Sequence, residues 1–185
     1  CLSFEQVSDE VIEYYKIKFK SRVYTPLNNS EKYTLVLMGR ADFGLLGSYN
    51  KYKQTPFETF HVGGDGMTGS YTYATETIGL RGYDNGALTP YSDGRAYTRF
   101  SMELHFPFLL QPSSTIYGLA FVEGGNAWTS LENFNPFSLK RSAGVGVRIF
   151  LPMIGLMGID WAYGFDKVQG EKGGGHFHFI LGQEF

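Results

Sequence analysis

The residues of this sequence that could do chemistry are a few acids, three histidines and one loop arginine. His176 and His178 lie two positions apart and would share one face of a strand, as two metal ligands would. A metal site needs a third fixed ligand with supporting hydrogen bonds, for which His105 is a weak candidate. Ser101, His105 and Asp160 do not form a convincing hydrolytic site. We therefore expect no catalytic residue, no metal site and no cofactor.

The arginine, Arg81, lies in the segment Leu80-Arg81-Gly82-Tyr83. A guanidinium removed from water needs carboxylates to offset its desolvation. Glu103 and Glu123 fall on the same face of successive predicted strands, so both would be available. From the residues alone, a surface arginine in a mobile loop is the simpler interpretation.

Strands are the elements that would position these side chains, because apolar and polar residues alternate along much of the chain. In one segment, Phe100, Met102 and Leu104 alternate with Arg99, Ser101 and Glu103. Seven segments show the pattern: 15–23, 33–43, 98–106, 116–123, 142–151, 157–165 and 176–185. Residues 2–6 are a candidate for the end of an eighth strand.

The segments are long enough, at about 9–13 residues, to cross a bilayer at a tilt, whereas strands of soluble sandwiches average about 5–6 residues. One face is apolar, and the other carries charge and glycine. A sheet that spans lipid must pair every backbone group and therefore close. The aromatic content of 17% fits the aromatic girdles of membrane barrels. We predict an all-β fold, an antiparallel transmembrane β-barrel, and the net charge of −2 gives no nucleic-acid footprint.

The connections between the segments alternate in length. Those at 26–31, 107–114 and 152–154 are short, and those at 47–96, 128–140 and 166–175 are long. Outer-membrane barrels have short periplasmic turns and long extracellular loops. The pattern therefore predicts a periplasmic C-terminus and an extracellular segment 47–96.

Six blocks of the sequence, in order, resemble the Omp85 superfamily, and among its members the bacterial outer-membrane assembly factors. The loop block, residues 80–83, is similar to the family's V/I-R-G-F/Y motif. The others are 57–64 (F-x-x-F-x-x-G-G), 101–104, 121–128, 142–146 and 177–185. The resemblance covers about residues 14–185 and departs from the family pattern at Glu123, where the family has Asp.

The resemblance implies that residues 1–185 are the C-terminal half of a barrel of about 16 strands, of which about 7–8 are present. In this family the loop, here 47–96, folds back into the lumen. Its motif arginine pairs with acids at the positions of Glu103 and Glu123. Tyr83 adds packing, and the glycines of the motif allow tight turns.

The last strand carries the residues that the resemblance connects with function: Phe177, Phe179, Gly182 and Phe185. A glycine near a strand end allows the strand to bend. In the family this opens a lateral gate, whose edge pairs with the strand of a substrate by β-augmentation. The implied function is folding and insertion of outer-membrane barrels, without enzymatic chemistry. The implied partners are unfolded β-barrel substrates, accessory lipoproteins and outer-membrane lipids.

The family's first barrel strand and its POTRA domains have no counterpart in the sequence, so we expect a fragment that needs the N-terminal half of the barrel. Closure into an eight-stranded barrel is the alternative, and it would leave no room inside for the loop. Cys1, the single cysteine, excludes an internal disulfide, and it fits a fragment boundary better than a lipidated N-terminus.

Several functions compete with assembly. A two-partner secretion transporter of the same superfamily would share the loop and its motif. A porin or structural barrel would not require Arg81 with its acids, and an outer-membrane lipase or protease lacks a site. A lysine stripe, Lys16, Lys18 and Lys20 with Arg22, is expected to be balanced by acids elsewhere in the barrel, and it suggests anion conduction only weakly.

Overall fold

The computed structural model describes residues 14–28, 34–49, 58–66, 75–89, 91, 93–111, 114–153, 155–168 and 174–181. Nine strands lie in these ranges. They are β1 (Tyr14–Pro26), β2 (Val36–Ser48), β3 (Thr59–Val62), β4 (Thr75–Ile78), β5 (Ala96–Gln111), β6 (Ser114–Trp128), β7 (Lys140–Leu151), β8 (Gly155–Gly164) and β9 (Gly175–Leu181). A 3-10 helix, Leu131–Asn133, lies between β6 and β7. No helix in the described ranges is long and apolar enough to cross a membrane.

Seven of the strands form one antiparallel sheet in the order β1-β2-β5-β6-β7-β8-β9. The predicted antiparallel β architecture is confirmed. Strands β1 and β9 are the two edges, and they do not pair with each other in the described part of the chain. Closure into a small eight-stranded barrel is therefore not observed. The candidate strand at 2–6 lies outside the described residues, and so do Gly182 and Phe185 of the last predicted strand.

The two faces of the sheet are inverted relative to a soluble protein. The outer face exposes large apolar side chains, among them Phe19, Met102, Val122, Trp161 and Phe179. The inner face buries polar and charged ones, among them Asp42, Glu103, Glu123, Arg148 and Asp160. Alternation along each strand produces both faces at once. An apolar exterior around a polar interior is the pattern of a membrane barrel.

Strand ends differ from the prediction where turn residues lie inside a strand. Pro107 was expected to open a turn, yet β5 continues through it to Gln111. The register shifts between Pro107 and Leu109, and a bulge of this kind accommodates a residue without an N–H. The connection predicted at 107–114 is consequently only residues 112–113.

The predicted loop 47–96 contains structure of its own. Its strands β3 and β4 pair in parallel, and an isolated bridge joins Gly64 to Leu80. Its apolar side chains form a core with the sheet's inner face near the ends of β2, β5 and β6. The core consists of Leu46, Phe60, Val62, Ile78, Leu80, Tyr83, Leu88, Tyr97 and Ala127. The segment is therefore a folded layer on the sheet, and this layer carries Arg81.

Candidate functional site

Arg81 lies on the inner face of the sheet, with its side chain almost fully buried. Its backbone N–H donates to Glu123 Oε2 at 2.9 Å, so the loop's main chain is fixed as well as its side chain. Nη2 donates to Glu123 Oε1 at 2.7 Å and also to Glu103, while Nη1 donates to Asp160 Oδ2 at 2.9 Å. The guanidinium carbon lies 3.5 Å from the centroid of the Phe121 ring, a cation–π contact. One loop residue thus contacts β5, β6 and β8.

Arg81 keeps its charge in this buried position. Burial by itself lowers the pKa of the guanidinium, but the charges of Glu123 and Glu103 outweigh it and raise the pKa well above the usual value. A permanently charged guanidinium with several donors suits several carboxylates better than a lysine would. The arrangement is therefore a fixed ionic contact, and it does not provide a proton donor for catalysis.

The buried cluster is balanced in charge. Arg99 Nη2 donates to Glu123 Oε1 at 3.1 Å, and Arg148 Nη2 donates to Asp160 Oδ2 at 2.6 Å. We call the set the arginine cluster; its members are Arg81, Arg99, Arg148, Glu103, Glu123 and Asp160. Three cations meet three carboxylates, and this balance is what makes burial of so many charges tolerable. Glu103 Oε2 is also hydrogen-bonded to His105 Nε2, at 2.9 Å.

The expected pairing of Arg81 with Glu103 and Glu123 is present in the structure, but Asp160, Arg148 and Arg99 also belong to it and were not predicted. Their positions on the inner face were visible in the alternation. What was missing was their height along the strands, which depends on the register. That register places Asp160 opposite Gly146 on β7.

Glycines of the inner face make room for the arginine cluster. A Cβ on Gly146 would collide with the Asp160 carboxylate, and one on Gly158 would lie 2.6 Å from Arg148 Cδ. A Cβ on Gly144 would lie 2.6 Å from Cζ of Phe121, the ring beneath Arg81. Because a protein interior is close-packed, an added methyl at Gly146 or Gly158 would displace a member of the cluster, and one at Gly144 would displace the Phe121 ring that Arg81 contacts.

The remaining motif residues extend the contact across the sheet. Gly82 has a φ of 88°, which a side chain rarely adopts, and a Cβ on it would lie 2.9 Å from that of Ser142. Its N–H donates to His178 Nε2 on β9 at 2.9 Å. Tyr83 Oη donates to the carbonyl of Arg141 on β7 at 2.6 Å. The four motif residues, with Leu80 buried in the apolar core, therefore contact every strand from β5 to β9.

A second group of ion pairs holds the loop near the other edge of the sheet, at β1. Lys16 Nζ of β1 lies 2.7 Å from Glu58 and 3.2 Å from Glu76, and Lys18 Nζ lies 3.1 Å from Glu76. Lys20 Nζ lies 3.6 Å from the other oxygen of Glu76. The three lysines of the stripe thus contact two acids of the loop, Glu58 and Glu76, whereas the balancing acids were predicted to lie elsewhere in the barrel.

The described part of the last strand presents Phe177 and Phe179 on the outer face and His178 on the inner face. His176 Nδ1 lies 3.3 Å from Asp84 of the loop, and its ring stacks on that of His178 with 6.2 Å between centroids. Within the described residues, no three His, Cys, Asp or Glu side chains are grouped so that they could hold a metal ion.

The chain matches the family model of the Omp85 superfamily domain over residues 3–185. Among solved structures it is similar to BamA from Haemophilus ducreyi lacking POTRA domains 1-3, with a TM-score of 0.63 and 21% identity. The match covers 90% of this chain and 34% of that one, so the chain spans about a third of that protein's length. The likeness is one of fold.

Proposed function

The chain belongs to the Omp85 superfamily, and from this membership we propose that it is part of a barrel that folds other β-barrel proteins and inserts them into the bacterial outer membrane. The observation that supports this proposal most is the arginine cluster. It holds a folded loop against the polar face of the sheet, at the positions where the family's motif predicts the contact.

We propose that further strands and POTRA domains, from the rest of a longer protein, complete the barrel. The sheet formed by the described residues has two open edges, and unpaired backbone groups at an edge need a partner inside a bilayer. The connections between β2 and β5, β6 and β7, and β8 and β9 are long and lie at one end of the sheet. We assign that end to the extracellular side, so the C-terminus is periplasmic.

Strand β9 is the proposed contact with substrates, through a lateral gate between it and the first strand of the complete barrel. The charged contacts of Arg81 reach β5, β6 and β8, whereas β9 contacts the loop through His178, which accepts from Gly82 N–H, and through the more exposed pair of His176 with Asp84. The ionic contacts of Arg81 therefore fix the sheet as far as β8, the strand next to the edge, and the loop holds β9 less firmly. Its edge would pair with the terminal strand of an unfolded β-barrel substrate, with no covalent chemistry. Accessory lipoproteins are proposed partners of the complete assembly.

The test is site-specific photocross-linking during assembly. The complete barrel, with a photoreactive residue at Phe179, is reconstituted in liposomes and supplied with an unfolded outer-membrane barrel. We expect cross-links to the substrate's terminal strand, together with faster acquisition of protease resistance than in empty liposomes. The matched control is Val145, which is similarly exposed on the outer face (55% against 60%) but lies on β7, away from the edge.

Three results would count against the proposal. Equal cross-linking from both positions would mean contact without pairing at the edge. Export of a soluble passenger with no gain in barrel folding would favour the secretion transporter. Ion conductance with neither activity would favour a porin.

A further inference from the structure

The connection between β6 and β7 lies against the outer face of the sheet. Thr98 and Asn126 are directly opposite each other in the register, and their side chains have the parity of that face. Thr98 Oγ1 donates to the carbonyl of Pro136 at 3.5 Å, and Asn126 Nδ2 donates to that of Ser138 at 2.8 Å. Two side chains of the sheet thus hold the connection in place on the apolar outer face, the face that contacts lipid in a membrane barrel.

An apolar groove of about 800 Å³ lies beside this connection. Gly124 lies in the floor of the groove, between its register partners Phe100 on β5 and Arg141 on β7. Because Gly124 has no side chain, the outer-face side chains of these three paired residues leave a gap at its position. Leu139 closes one side of the gap, because a Cβ on Gly124 would lie 3.5 Å from its Cβ. Phe137 also lines the groove, although 82% of it is exposed. Such exposure is unfavourable in water and favourable against hydrocarbon.

Positive charge gathers at one end of the groove. Arg141 has outer-face parity and a side chain that is 70% exposed, and its Nη2 and Nε donate to Asp166 at 3.1 and 3.2 Å. Lys140 Nζ donates to the backbone carbonyl of Lys167 at 2.9 Å, and the charge of Lys140 also acts on Asp166. Two cations, Arg141 and Lys140, therefore stand near one carboxylate, Asp166, next to an apolar surface.

We propose that this groove binds an anionic, phosphate-bearing membrane lipid. One acyl chain lies along Met102, Val122 and Phe137, and the phosphate lies on Arg141. The apolar floor suits hydrocarbon, and a guanidinium recognises phosphate oxygens through charge-assisted, paired hydrogen bonds. The groove is on the opposite face of the sheet from the arginine cluster. The inference rests on the membrane position of the sheet and does not require the assembly activity.

The experiment places the complete barrel in phosphatidylcholine nanodiscs that contain a trace of phosphatidylglycerol with a photoreactive acyl chain. Phosphatidylcholine with the same chain is the comparison. We expect the anionic probe to label the peptides that contain Met102 and Phe137 about fivefold more than the zwitterionic probe, as one cation near the phosphate would produce. Unlabelled phosphatidylglycerol should compete. Equal labelling by both probes would mean ordinary surrounding lipid and would overturn the proposal.

Two variants of the Arg141–Asp166 pair separate recognition from structure. Arg141→Gln should reduce labelling by the anionic probe to that of the zwitterionic one. Asp166→Asn should leave it unchanged or raise it, because the guanidinium is then free for the phosphate. If both variants lower labelling equally, the pair is only structural and the proposal fails.

The groove itself is tested with Phe137→Ala, which should lower labelling by both probes. Phe108→Ala removes an outer-face phenylalanine that does not line the groove and should change neither. An equal effect of the two alanine variants would overturn the assignment of the acyl chain to the groove. Substrate folding measured on the same nanodiscs reports separately on the proposed function.

Discussion

At the scale of single residues, Arg81 joins parts of the chain that are far apart in sequence. Its side chain bonds to acids 22, 42 and 79 residues away. Desolvating a guanidinium is costly, and here three carboxylates offset the cost while Arg99 and Arg148 neutralise the remaining negative charge. Removal of Arg81 would leave the acids in excess in a buried place, and the loss would be far larger than for a surface ion pair.

We predict that Arg81→Met destabilises the folded barrel by about 3–5 kcal/mol, as breaking a buried ion pair does. Arg81→Met combined with Glu103→Gln should recover part of this loss. Glu123 would keep Arg99 and Ser101 as donors, and Asp160 would keep Arg148. The measurement is the urea concentration at which the heat-modifiable gel mobility of the barrel is lost. A double variant less stable than the single one would contradict the charge-balance explanation.

The residue types of the site were predictable, but its full membership was not. Alternation is enough to place Glu103 and Glu123 on the inner face, and the resemblance supplies their pairing with Arg81. Asp160 has the same parity but is separated from Arg81 by 79 residues. Only the register of three successive strand pairs, from β5 to β8, shows that it lies at the same height, and register is not encoded in the alternation of any one strand.

At the scale of elements, the folded loop is held at two places of different physical character. The arginine cluster is buried, whereas the contact of Glu58 and Glu76 with the lysines of β1 is partly exposed. Salt screens exposed charges much more than buried ones. Salt should therefore weaken the attachment of the loop near β1, whereas it should not weaken the attachment near β8.

We predict that Glu76→Gln loosens β3 and β4 without releasing Arg81. In the wild type, partial burial raises the pKa of Glu76, but hydrogen bonds from Lys18 and Lys16 outweigh this and leave it below its usual value. Glu76 therefore stabilises the docked loop above the pKa of an unfolded glutamate, about 4.3. This stabilisation is lost as the pH falls through the lower pKa of the folded state.

Amide hydrogen exchange at Phe60, His61 and Val62 measures the effect. Their protection factors, which correct for the intrinsic exchange rate at each pH, should fall in Glu76→Gln, in high salt and at low pH, while Leu80 and Gly82 remain protected. Glu132→Gln removes the same charge from an exposed 3-10 helix and should change neither set. Equal loss of protection at both sites would mean that the loop has a single attachment.

The seven long strands were predictable because each carries its own alternating pattern over about ten residues. Strands β3 and β4 were not predicted, since each has only four residues and its partner strand is parallel. Such a pair depends on the sheet beneath it, and a short segment carries little local signal of that kind. The turn predicted at Pro107 was wrong for a related reason: the bulge that accommodates this proline depends on the pairing of two strands.

At the scale of the whole molecule, the sheet is an open wall with apolar residues on one side and polar residues, covered by the loop, on the other. Within the described residues, the edge strands β1 and β9 each pair with a strand on one side only. An uncovered edge favours pairing with another chain. In the proposed complete barrel, further strands would cover both edges.

We predict that the 185-residue chain, refolded alone in detergent, associates into dimers or larger species through these edges. Lysines in place of Phe177 and Phe179 on β9 should reduce association, because charge on an edge strand disfavours pairing. Lysines in place of Val145 and Val147 on β7 add the same charge to the same face away from an edge. Light scattering after size-exclusion chromatography gives the masses. A wild-type chain that is monomeric at all concentrations would refute the prediction.

The arginine cluster also has a consequence for the order in which the chain folds. Its acids stand on three strands, and a slip of one residue in any of them would turn its acid toward the lipid. The motif precedes these strands in the sequence, yet Arg81 does not have all its partners until β5, β6, β7 and β8 are aligned. Docking of Arg81 is therefore a late step, and only a sheet in the correct register allows it to finish.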